Sequence, residues 1–149
     1  MKNFIFVSIL LALLLTVNAA PFQPNKRVLS FHPCNLQPHV DYIDVIGQPN
    51  TPVSRRYQSF FVFGKLTEHN IIANQTVLYI EYQHEQNGSK IGREWFSYFN
   101  TSINAGHPFN RWADDVPTPT LPRSYLLVVI VGRLFSNSVI PFGCAQSLG

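Results

Sequence analysis

After its first two dozen residues this chain nowhere keeps apolar residues at helical spacing long enough to build a helix. The apolar runs are short, β-branched and aromatic, and Pro, Gly and Asn separate them. That combination suits pleated strands, which bury alternate side chains and stop at residues that cannot continue a ladder. Six strands are expected, over residues 42–46, 58–66, 76–83, 91–99, 125–135 and 139–146. Gln86-Asn87-Gly88-Ser89 reads as the turn of a hairpin, because an Asn-Gly pair tolerates positive φ. The stretch VPTPTLP, 116–122, reads as a crossing loop, since proline has no N–H for an interior ladder. So many strands in so short a chain imply an all-β fold, an antiparallel β-sandwich.

Two of these strands carry more apolar residues than a sandwich requires. In SYLLVVIVGRLF, Tyr125, Leu127, Val129 and Val131 share one face, and Leu126, Val128 and Ile130 share the other. A strand with one wet face should alternate apolar with polar. QSFFVFGKL has the same excess. A partner surface on the outer face would account for it, and so would two sheets splayed around an apolar cavity. Patterning leaves both open.

The first residues set the compartment. Lys2 precedes an apolar run from Phe4 to Val17, and Val17-Asn18-Ala19 supplies the compact residues a signal peptidase reads. Residues 1–19 are therefore expected to be a signal peptide cleaved after Ala19. The run is shorter than the ~20 apolar residues of a spanning helix, and Pro21 and Pro24 follow it. Residues 20–33 read as a linker or short pro-segment. Cleavage removes Lys2, one of eleven basic residues, leaving ten against eight acidic ones. That weak, scattered positive balance gives no ground for nucleic-acid binding. The doublets Lys26-Arg27 and Arg55-Arg56 read as solvated turns.

Secretion permits a disulfide, and two cysteines allow one intramolecular pairing, Cys34 with Cys144. It would join the first strand to the last and close a loop of about 110 residues, worth roughly 4–5 kcal/mol in the chain-entropy model. Two free thiols, or an intermolecular pair, are the alternatives. Three glycosylation sequons, at Asn74, Asn87 and Asn100, fall in turn-like stretches and suit the same compartment.

Catalytic and metal-binding patterns are missing. Gly-x-Ser-x-Gly, His-Glu-x-x-His and glycine-rich phosphate loops are all absent. Glu81 with Glu85, and Asp114 with Asp115, are sequence neighbours, which is no evidence of opposed carboxylates. His32, His39, His69, His84 and His107 show no metal spacing. The expectation is a non-enzyme without a metal or cofactor.

Taken in order, these segments resemble the ML family of lipid-recognition domains. That family includes the Niemann–Pick type C2 sterol carrier and the phosphatidylglycerol/phosphatidylinositol transfer proteins. The resemblance spans residues 34–149. It begins at Cys34 and passes through DYIDVIGQPNTPV to FFVFGKLTEHNIIANQTVLYIEY, where it is clearest. It continues in TSINAGHPF and VPTPTLPRSYLLVVIV, and ends at Cys144. Thr101-Ser102 stand where the family has Cys-Pro, so a second family disulfide is absent. The match is nearer the phospholipid-transfer branch than the sterol branch.

The resemblance implies an immunoglobulin-like sandwich with an apolar cavity between its sheets, and a disulfide between chain ends that matches Cys34–Cys144. It implies a secreted protein, or one in the lumen of the secretory, vacuolar or lysosomal pathway, that exchanges a phospholipid or sterol with a transiently contacted membrane. Lipid-lining residues expected on that basis are Phe60, Val62 and Leu66, then Leu78, Ile80 and Tyr82, then Tyr125, Leu127, Val129 and Val131. Phe109 and Trp112 are expected at the pocket entrance. The rival expectation is a secreted carbohydrate-binding or adhesive sandwich in which Trp95, Trp112 and nearby tyrosines stack on sugar faces.

Overall fold

A computed structural model describes residues 27–35, 40–136 and 138–149. The expected signal peptide, residues 20–26 of the expected linker, and His39 lie outside the described residues. The described chain is all-β: β1 His32–Pro33, β2 Asp41–Gln48, β3 Tyr57–Lys65, β4 Thr76–His84, β5 Trp95–Tyr98, β6 Pro108–Pro117, β7 Tyr125–Phe135 and β8 Ser138–Leu148.

Two layers face each other. One has the order β5-β4-β7-β8 and the other β2-β3-β6, and β2 joins them into a single nearly closed path. Asp41 and Tyr42 at the start of β2 pair with Gly143 and Cys144 of β8. From Ile43 onward the same strand pairs with β3 instead. β1 takes the edge of β8 that β2 vacates, with His32 opposite Gln146 and Pro33 opposite Ala145. At the other side, β5 and β6 end the path, and among the described residues no backbone ladder joins them.

The alternation expected of a sandwich places the core. Ile43, Phe60, Val62, Leu78, Ile80, Leu127, Val129 and Val131 point between the sheets and are buried. Each such side chain contributes roughly 1.5–3 kcal/mol when withdrawn from water. Gly132 of β7 lies at a register shift against β8, where an added Cβ would overlap the backbone oxygen of Ile140. The Asn87-Gly88 turn forms as expected: Gly88 takes φ 66°, and Asn87 Oδ1 accepts from the N–H and the hydroxyl of Ser89.

Three expectations change. The sheet is not purely antiparallel, because β2 meets β8 in parallel. Within the expected linker or pro-segment, Leu29 and Phe31 pack on the core, and the Ser30 N–H donates to Ser147 Oγ at 2.9 Å. The fourth expected strand shortens to Trp95–Tyr98. Pro108–Pro117, outside the six expected strands, is a ten-residue strand. β6 is an edge strand with prolines at its ends, where a missing N–H costs no ladder bond, and its inward Arg111 and outward Trp112 break the apolar–polar alternation.

Candidate functional site

The interior between the sheets gathers the expected lining residues from four strands. β3 supplies Phe60 and Val62, with Leu66 just beyond it. β4 supplies Leu78, Ile80 and Tyr82, and β7 supplies Tyr125, Leu127, Val129 and Val131. Phe109 enters from β6. All of these lie in one buried apolar cluster with Ile71, Phe99, Ala113, Val116 and Ala145. Register brings them together: Ile80 is opposite Val129, and Val129 in turn is opposite Ala145. Trp112 does not join them.

One end of this interior is polar. The Tyr82 hydroxyl donates to Gln58 Oε1 at 3.0 Å and lies 3.4 Å from Thr118 Oγ1. Gln58 in turn donates to the Pro49 carbonyl. Burial disfavours the phenolate, so the Tyr82 pKa is pushed up to about 12. Burial likewise raises that of Tyr125.

The other notable polar group stands where the two sheets part. Arg111 of β6 is opposite the inward-facing Val62, and it therefore projects toward the interior. Its guanidinium reaches across to β5: Nη2 donates to Ser97 Oγ and to the Tyr98 carbonyl, each at 2.9 Å. Nη1 donates to Asn100 Oδ1 at 3.4 Å. The group lies over the ring of Phe99, 5.4 Å from its centroid, and Phe99 meets Phe109 edge-on. Sequence reasoning missed Arg111. The signal was available, because Arg111 shares parity with Phe109 and Ala113 once 108–117 is read as a strand.

The apolar surplus has two different explanations. On β7, Val128 and Ile130 form a second buried cluster with Val77, Tyr79 and Cys144, against which Cys34 and Val40 pack. On β3 the outward Phe61 and Phe63 are only half-buried. Phe61 stacks on Phe63 with centroids 5.3 Å apart and meets Trp112 at 4.9 Å. Trp112 is 49% exposed, and a shallow groove of about 650 Å³ runs beside this row past Tyr42, Asp44, Lys65 and Asn110. Trp95 is elsewhere, packed against the core, so the two tryptophans share no platform.

The Cys34–Cys144 disulfide is present, with Cα atoms 5.7 Å apart. It joins the segment after β1 to β8 and is compatible with an extracellular or lumenal protein. Asn74, Asn87 and Asn100 are all exposed. His69 stacks on Phe142 at 4.2 Å, and it is exposed, as are His32, His84 and His107. Among the described residues no group of three or more His, Cys, Asp or Glu side chains is placed to hold a metal ion. The chain matches no family model, no curated protein and no solved structure.

Proposed function

We propose that this is a secreted or lumenal protein that binds a lipid between its two sheets and exchanges it with membranes. One observation carries the reading: a continuous apolar interior is hydrogen-bonded along one side only. At β2 and β8 backbone pairing ties the layers together. At β5 and β6 only side chains span the gap. Separating β5 from β6 breaks no backbone ladder, so an acyl chain or sterol has a low-cost route inward. Apolar transfer supplies the driving force, about 0.8 kcal/mol per methylene buried. The order of segments that resembles the ML family supports the same reading, and the role assigns no catalysis to the chain.

Native mass spectrometry of gently purified protein tests this directly. A retained lipid at one per chain is expected. A protein that stays lipid-free after incubation with mixed phospholipid and sterol vesicles would refute it.

A second reading has its own observation, the outward row of half-buried Phe61 and Phe63 with exposed Trp112. Flat aromatic faces with Asp44 and Asn110 beside them are suited to stack on a sugar ring and hydrogen-bond its hydroxyls. Glycan binding lost in Trp112→Ala, by a protein that takes up no lipid, would put carbohydrate recognition first.

A further inference from the structure

We propose that Arg111 holds the phosphate of a lipid headgroup at the gap between β5 and β6, making the interior selective for phospholipids over lipids without a phosphate. This rests on the reading of the interior as a lipid site and names its substrate class.

Three features of Arg111 point to an anionic ligand. Its Nε is buried without a hydrogen-bond partner, the one such side-chain atom among the described residues. Buried donors are ordinarily satisfied, and one left over in a native fold marks a place for something else. The partners that Arg111 does have are neutral, a hydroxyl, a carbonyl and an amide. Among the described residues the ion pairs are those of Lys90 with Glu81 and with Glu94, so no carboxylate within 4 Å answers the Arg111 charge. A guanidinium cannot shed that charge by deprotonation.

Position supplies the ligand class. The aliphatic stem of Arg111 lies on the inner face beside Val62, and its charged end lies over Phe99 at the border of the apolar cluster. A molecule meeting both environments has apolar chains and an anionic head. The Nε–H and a neighbouring Nη–H form an edge that takes two phosphate oxygens side-on. Ser97 Oγ, now bonded to Nη2, is the partner a phosphate oxygen would replace. As the same side chain bridges β6 to β5, headgroup capture would also release the bridge that closes the gap.

The test uses the mature chain and donor vesicles carrying phosphatidylglycerol or diacylglycerol with identical fluorescent acyl chains. The wild type is expected to take up phosphatidylglycerol at least about tenfold better, the scale of a charge-assisted bidentate contact. Arg111→Gln should bring that ratio close to one by losing phosphatidylglycerol uptake, while diacylglycerol uptake holds or rises because the bridge to β5 is gone. If Arg111→Gln does not fold, Arg111→Lys, which lacks the side-on edge, should lower the ratio at least threefold. An unchanged ratio in whichever variant folds overturns the assignment and leaves Arg111 as a strand-to-strand latch. Glycerol 3-phosphate displacing phosphatidylglycerol at equal concentration overturns it too, because the site would then serve a soluble phosphate. Uptake of neither lipid by the wild type defeats the lipid reading itself, and the proposal with it.

Discussion

Removing the Cys34–Cys144 bond should cost more than any single change to the core. The bond spans a sequence separation of 110, and the chain-entropy expression for a loop of that size gives about 4.8 kcal/mol at 25 °C. Unfolding a chain of about 120 ordered residues carries an entropy near 0.25 kcal/mol/K, so the loss corresponds to a fall in Tm of roughly 15–20 °C. Cys144 is 1% exposed and packs in the second apolar cluster. Replacing its sulfur therefore adds a packing loss that reduction alone does not. Thermal melts of oxidised wild type, reduced wild type and the Cys34→Ala/Cys144→Ala variant separate the two effects. Reduction should account for most of the shift. The structural response should be local, because two register pairs hold β1 to β8 while β7 and β8 pair over most of their length. Hydrogen exchange should quicken in residues 27–35 well before β7. If the double variant melts within 5 °C of the wild type, the unfolded chain is not behaving as the open loop that this estimate assumes.

Val129, fully buried between Ile80 and Ala145, separates a lipid cavity from an ordinary core: Val129→Phe should retain most thermal stability while transferring less fluorescent phospholipid between vesicles. A stability loss of ~1–3 kcal/mol, with no lipid uptake even by the wild type, would mean a close-packed core. Gly132→Ala should lose at least about 2 kcal/mol in a urea melt, because its Cβ would overlap the Ile140 backbone. A loss below about 0.5 kcal/mol would show that β8 yields there freely. Tyr82, with its folded pKa raised to about 12 by burial, favours the native state while neutral; its contribution is complete below the ordinary tyrosine value of 10.0 and lost as pH rises through about 12. Stability should thus fall between those values, and Tyr82→Phe should flatten that alkaline slope.

Local patterning carried a large share of this fold. The runs that became β2, β3, β4, β7 and β8 are β-branched and aromatic with turn residues at their ends, and each formed within a few residues of its expected limits. Parity also grouped Val129 with Leu127 and Val131, and Ile80 with Leu78, each on one face, and in the structure those faces are the inward ones. Period-two alternation is a property of the strand alone, so it survives whichever neighbours the strand acquires. β1 and β6 were not legible in this way. A two-residue strand has no period, and the inward Arg111 and outward Trp112 of β6 interrupt the alternation that would have marked it as a strand.

Pairing across the molecule was decided elsewhere. The chain order of Tyr42 and Cys144 does not reveal that β2 begins beside β8 and then leaves for β3. Nor does it reveal that Val128 and Ile130 would be buried while Phe61 and Phe63 stayed only half-covered. An outward apolar residue is buried only if another segment arrives to cover it, and that arrival depends on topology. The position of Arg111 is the clearest case. Its sequence shows a cation between an asparagine and a tryptophan. Only the approach of β5 to β6 gives that cation three neutral partners, an unsatisfied Nε and an apolar interior beside it. Alternation within a strand is local geometry, whereas the environment of a charge is the sum of everything the fold brings near it.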